Sequence, residues 1–84
     1  MFYTYVIESI GDPAKKYVGH TADLRRRLAT HNSGGCSYTK KFMPWRIRAY
    51  FAFQEIEIAR RFERYLKSGS GHAFANKHFW PGRS

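Results

Sequence analysis

Residues 2–7, Phe2-Tyr3-Thr4-Tyr5-Val6-Ile7, are aromatic and β-branched in every position, which predicts a strand. Side chains alternate across a strand, so Tyr3 and Tyr5 share one face and Thr4 and Val6 the other. Turn chemistry follows in Ser9-Ile10-Gly11-Asp12-Pro13, and Lys16-Tyr17-Val18-Gly19 resumes extended structure. A hairpin with a long loop is expected, one that can present Tyr5 and Tyr17 on a common face. Gly19 closes the second strand. Thr21 is the expected N-cap of a helix, with Asp23 in its first turn, where a negative charge suits the helix dipole. Leu24 and Leu28, four apart, form the buried stripe of that helix, and Asn32-Ser33-Gly34-Gly35 ends it.

Cys36 to Pro44 has no clear period, and Tyr38-Thr39-Lys40-Lys41 within it reads as a short turn or as a loop over the candidate site. Beyond it Trp45, Ile47, Ala49, Phe51 and Phe53 alternate with Arg46, Arg48, Tyr50 and Ala52, which predicts a third strand with a single apolar face. Glu55 through Lys67 has helical spacing, with Ile58, Ala59, Phe62, Tyr65 and Leu66 toward the core. Ser68-Gly69-Ser70-Gly71 breaks the pattern, His72 to Trp80 allows a short last helix, and 81–84 reads as a tail. The elements describe one α/β domain of the α+β kind over residues 1–80.

Composition narrows the partners. Fifteen Lys and Arg stand against six Asp and Glu, a net charge of +9 on 84 residues. So lopsided a balance on a small domain points to a polyanion. Arg25, Arg26, Lys40, Lys41, Arg46, Arg48, Arg60, Arg61 and Arg64 are the cations available for phosphate contact. Singly, each also reads as a solubilising surface charge. The one cysteine, Cys36, excludes an internal disulfide and a cysteine-based zinc cluster. No stretch approaches the ~20 apolar residues of a membrane span, so a cytoplasmic protein is expected.

The chemistry concentrates in Lys16–Asn32: a strand tyrosine, a glycine turn, then a basic helix. There Arg27 and His31 lie one helical turn apart, on one edge of the leucine stripe. A phenol, a guanidinium and an imidazole at a strand-to-helix junction suggest phosphate chemistry. His20 and His72 carry no assignment. On spacing alone, Glu63 is a helix-face carboxylate among Arg60, Arg61, Arg64 and Lys67 and reads as a partner for one of them.

These residues, taken in order, resemble the GIY-YIG nuclease domain over nearly the whole chain, Phe2 to about Trp80, and in particular its small stand-alone bacterial members. The first tripeptide is Tyr3-Thr4-Tyr5 and keeps only the final tyrosine; the second is Tyr17-Val18-Gly19. Arg27 follows Tyr17 by ten residues and His31 follows by four more, and Ala59-x-x-x-Glu63-x-x-Leu66-Lys67 completes the pattern. The resemblance implies a three-stranded, mostly antiparallel sheet flanked by helices. It also implies metal-dependent hydrolysis of phosphodiester bonds, most naturally in DNA and including branched or damaged DNA of the kind met in repair. The family's functional positions fall on Tyr5, Tyr17, Arg27, His31 and Glu63, and Asn76 is the one candidate for a further asparagine.

With the resemblance in hand, Glu63 becomes the metal ligand. A lone carboxylate suits Mg²⁺ (or Mn²⁺), one ion per site, because such an ion keeps waters and takes the rest of its shell from substrate phosphate. Tyr17 is the expected general base, with Tyr5 orienting water or holding Tyr17, and the reverse assignment open. A phenol ionises near pH ~10 and needs a neighbouring cation for that work. Arg27 would grip the phosphate and His31 would donate to it or assist proton transfer. The alternative is a nucleic-acid-binding module that keeps fold and charge but does not cut, or cuts only with a partner. Oligomeric state is not legible in the residues.

Overall fold

The computed structural model describes residues 1–80, so the expected tail, 81–84, lies outside the described residues. In chain order the elements are β1 (Phe2–Ser9), β2 (Lys16–Thr21), α1 (Leu24–Asn32), α2 (Ser37–Lys40), β3 (Trp45–Phe53), α3 (Ile56–Leu66) and α4 (Gly69–His78). The sheet is antiparallel throughout, in the order β2-β1-β3, so the strand bearing Tyr17 is an edge strand.

Register fixes the two faces. Tyr5 pairs with Gly19 and Ile7 with Tyr17, so the two phenols do share a face. Thr4 pairs with His20 and Val6 with Val18, on the opposite face. Helices cover both. On the phenol face Tyr5, Ile7 and Trp45 form a buried cluster, against which Leu24 and Leu28 of α1, Phe42 and Ile47 pack. On the other face the Thr4 hydroxyl donates to the Ala59 carbonyl of α3 at 2.7 Å. There the Phe62 ring of α3 meets Phe51 and Phe53 edge-on, centroids 4.8 and 5.8 Å apart.

This arrangement corrects the expectation of one apolar face on β3. Phe2, Thr4 and Val6 pair with Phe53, Phe51 and Ala49, but Ile7 then pairs with Ile47, a register shift that leaves Arg48 as the extra residue. One inserted residue reverses the parity of everything beyond it. Phe53, Phe51 and Ala49 therefore face α3, while Ile47 and Trp45 face α1. The unbroken alternation in the sequence runs straight through a bulge and serves two cores.

Three local expectations also change. Asp23, not Thr21, caps α1: its carboxylate accepts from the Arg26 amide at 3.0 Å, while Thr21 ends β2 and its hydroxyl accepts from the Asp23 amide at 3.1 Å. A carboxylate placed where the chain leaves the strand is the better acceptor, so the helix starts two residues later. Residues 37–40 form a short helix, fastened by the Trp45 indole donating to the Thr39 carbonyl at 2.7 Å. The Gly-Ser segment does not break the chain: α4 starts at Gly69, capped by the Ser68 hydroxyl. Gly71 sits where a Cβ would overlap the Tyr65 carbonyl and the Leu66 backbone, so its missing side chain is what lets α4 pack onto the end of α3. Tyr65, expected in the core, is exposed and stacks on Phe62.

Candidate active site

The phenol face of the hairpin carries the first half of the site. The Tyr5 side chain runs across β2 over Gly19, where a Cβ would lie 2.6 Å from the hydroxyl and 2.8 Å from the ring carbon that bears it. Only glycine there leaves room. The Tyr5 hydroxyl meets Nε2 of His31 at 2.8 Å, and Nδ1 of His31 meets the Thr39 hydroxyl at 2.7 Å. The Thr39 hydroxyl donates onward to the Cys36 carbonyl. Assigning protons along that chain makes Nδ1 the donor to Thr39 and leaves Nε2 to accept from Tyr5. Tyr5, His31 and Thr39 are all buried.

Burial first, and next the neighbouring Tyr17 phenol, push Tyr5 well above the usual phenol range, against the pull of Arg27. Burial, reinforced by Arg27, holds His31 below its ordinary value. At neutral pH the pair is therefore a neutral phenol bonded to a neutral imidazole. Tyr17 stands on its solvent side, its ring centroid 6.5 Å from Tyr5 and 5.1 Å from His31, and it stacks on Tyr38 at 6.0 Å. Arg27, one turn before His31, is exposed, and its charge reaches both buried groups.

Glu63 belongs to the other face. On α3 it accepts from Nδ1 of His20 at 2.5 Å and from Nζ of Lys67 at 2.7 Å. These two donors outweigh the upward push of burial and hold its carboxyl below the usual range. Lys67 connects the halves, since the same ammonium lies 5.8 Å from the Tyr17 ring centroid. So Tyr5, Tyr17 and His31 meet directly, Arg27 borders them, and Glu63 approaches around the open edge of β2 through Lys67. His20, Lys67, Tyr38 and Thr39 belong to the constellation and were not assigned from sequence. His20 was legible in principle, because alternation puts it opposite Thr4 on the α3 face.

The predicted phosphate-contact residues divide. Arg25, Arg26, Lys40, Lys41, Arg60, Arg61 and Arg64 are exposed and have no acidic partner within 4.0 Å among the described residues. Arg46 and Arg48 are spent on structure. Arg46 bonds the buried Glu8 at 2.8 Å, and Arg48 donates to the Phe79 carbonyl at 2.7 Å.

The family model described as the GIY-YIG catalytic domain matches residues 1–77. The chain belongs to the GIY-YIG family. This is a family of nucleases that act on nucleic acid. A UPF0213 protein of Streptococcus pyogenes serotype M3 is 39% identical over 66 residues, covering 77% of this chain and 70% of that protein. A UPF0213 protein of Streptococcus pyogenes serotype M1 matches equally, at 39% over 66 residues with the same coverage of each. The solution NMR structure of a UPF0213 protein from Bacillus halodurans is similar over 96% of this chain and 89% of its own, with a TM-score of 0.55 and 32% identity. The three-stranded antiparallel sheet with its helices is thus the GIY-YIG fold.

The donor set bears on what this GIY-YIG site can hold. Among the described residues there is no group of three His, Cys, Asp or Glu side chains, so a protein cage of the zinc type is not available. Each Glu63 oxygen carries one hydrogen bond and has a second acceptor direction left. One carboxylate contact, completed by waters and phosphate, fits a hard ion such as Mg²⁺. No helix among the described residues is long and apolar enough to cross a membrane.

Proposed function

We propose that the protein is an endonuclease that hydrolyses phosphodiester bonds in DNA, with Glu63 holding one Mg²⁺ or Mn²⁺ ion. The carrying observation is the position of Lys67, which bonds Glu63 and also faces the Tyr17 ring. It supports a single centre that wraps the edge of β2. Arg27 holds the scissile phosphate through two guanidinium N–H groups. Tyr17, on the solvent side, acts as its phenolate: it takes the proton of the attacking water and becomes the neutral phenol. The water oxygen bonds to phosphorus, the bond to the leaving oxygen breaks, and that oxygen takes a proton from solvent. Tyr5 is committed to His31 and positions rather than abstracts: it is the donor in that pair, and burial disfavours its anion. When bound, the ion supplies charge for the phosphoryl oxygens and for the leaving oxygen.

A second reading has its own support. Both Glu63 oxygens already have protein partners, as expected of a module that binds nucleic acid without cutting it. One experiment separates the two. Supercoiled plasmid and branched or damaged duplexes are incubated with the protein in Mg²⁺ and in EDTA, with Tyr17→Phe and Glu63→Ala alongside. The nuclease reading expects Mg²⁺-dependent nicking, reduced at least about a hundredfold in both variants. Binding without cutting on every substrate supports the module instead. Cutting that survives in either variant overturns the role of the residue replaced.

A further inference from the structure

Between β2 and α4 lies a cleft of about 400 Å³, of which the chemistry above uses only one wall. Its floor is apolar, made by Val6 and Val18 of the sheet, Leu66 at the end of α3 and Ala75 of α4. The shared wall is Tyr17, with Tyr38 stacked on it and Lys67 beside it. The indole of Trp80 is fixed in the lining by donating to the buried Glu8 at 3.1 Å, and it carries the Lys16 ammonium 4.7 Å from its centroid. Lys67 and Asn76 complete the approach, and the Asn76 amide has no hydrogen-bond partner among the described residues.

We propose that this cleft seats one unpaired nucleobase of the strand whose phosphate occupies the neighbouring site, an inference that rests on the nuclease reading. The occupant must be flat and largely apolar, carry hydrogen-bonding groups on one edge, and be tethered to negative charge. A base meets each requirement. Its faces lie against aliphatic and aromatic walls, its edge offers donors and acceptors to the Asn76 amide, and its phosphates fall to Lys16 and Lys67. The volume is at the low end for small-ligand pockets and accommodates a single nucleoside. A base inside a duplex presents only its edges to a protein, so the one bound in the cleft must already be unpaired or be drawn out of the stack. The preferred substrate is then DNA with a single-stranded, flapped or extrahelical base beside the cut, rather than a perfect duplex.

The test measures binding without cleavage. Two fluorescently labelled oligomers of equal length and phosphate number, one with bases and one built of abasic units, are titrated by anisotropy in EDTA. The intact oligomer is expected to bind at least about tenfold more tightly. Ala75→Leu, which narrows the floor, should erase most of that difference and leave the salt-sensitive part. Asn76→Ala, at an exposed edge of the cleft, should reduce it in a protein that folds normally. Equal affinity for the two oligomers in the wild type overturns the proposal, as does a preference untouched in both variants. Absence of plasmid nicking would instead strike at the nuclease reading, while the binding preference is read independently of it.

Discussion

The hydroxyl of Tyr5 and Nε2 of His31 lie 2.8 Å apart, both side chains buried, on two elements that the chain keeps 26 residues apart. This bond ties β1 to α1 and fixes the phenol beside Tyr17. Tyr5→Phe keeps the ring but leaves a buried imidazole nitrogen unsatisfied. The expected loss is about 1–3 kcal/mol of stability, read from urea unfolding, together with reduced nicking at temperatures where the variant remains folded. An unchanged unfolding midpoint would mean that the bond contributes nothing.

Gly19→Ala puts a methyl group into the Tyr5 hydroxyl. The ring has to swing away from His31, at an overpacking cost of about 1–3 kcal/mol. Thermal unfolding and the ring-nitrogen NMR shifts of His31 check this together. Wild-type shifts in the variant would show that Tyr5 had not moved.

His31 is held below its ordinary value of 6.5 by burial first and Arg27 second. The unfolded chain therefore takes up this proton more readily than the folded one. The stability that follows is fully present above pH 6.5 and is lost as pH falls below it toward the folded value. Removing the cation with Arg27→Gln should raise the His31 titration midpoint, followed by NMR. A midpoint that stays put would leave burial as the sole cause.

Glu8 is a buried carboxylate that no catalytic role explains. Burial pushes its pKa up, but bonds from Arg46 and Trp80 prevail and hold it below 4.5. Its contribution is present above that pH and lost as pH falls through the lower, folded value. Glu8→Gln should start less stable at neutral pH and lose less on acidification below pH 4.5, as measured by urea midpoints across pH. Parallel curves for the two proteins would reject the assignment.

The exposed pair Arg25 and Arg26 points away from the leucine stripe. If both touch duplex phosphates, Arg25→Ala with Arg26→Ala should flatten the plot of log affinity against log salt by about 0.9 for each phosphate left without its arginine. An unchanged slope would place the nucleic acid elsewhere.

Much of the fold, and the residues of the candidate centre, could be read from the sequence. Strands and helices followed from periodicity, but alternation only allowed a common face for Tyr5 and Tyr17, and the pairing of Tyr5 with Gly19 and of Ile7 with Tyr17 decides it. What was hidden depended on information of other kinds. The bulge at Arg48 leaves no mark, because Trp45–Phe53 alternates without interruption and only pairing with β1 shows the change of parity. The start of α4 was obscured because glycine is a poor helix former, while its cause, the close approach of Gly71 to Leu66, exists only in three dimensions. Lys67 was legible as one of four possible partners of Glu63, but its reach to the Tyr17 ring, like the place of His20 beside Glu63, exists only once α3 is docked against β2. Asp23 outranked Thr21 as the cap through a difference of two residues, finer than periodicity can resolve.

The position of β2 at the sheet's rim has a consequence for how the protein tolerates change. Every second residue of this six-residue strand serves a different half of the centre, Tyr17 and Gly19 the phenols, Val18 and His20 the cleft and the carboxylate. A one-residue slip against β1 would send the phenol toward Glu63 and the imidazole toward His31. With a strand neighbour on one side only, its register rests on β1 and on the bond from His20 to Glu63 of α3. An insertion in the exposed bend at 10–14, which carries none of the candidate groups, should therefore leave the arrangement intact, whereas a single deletion inside β2 should displace both halves of the candidate centre at once.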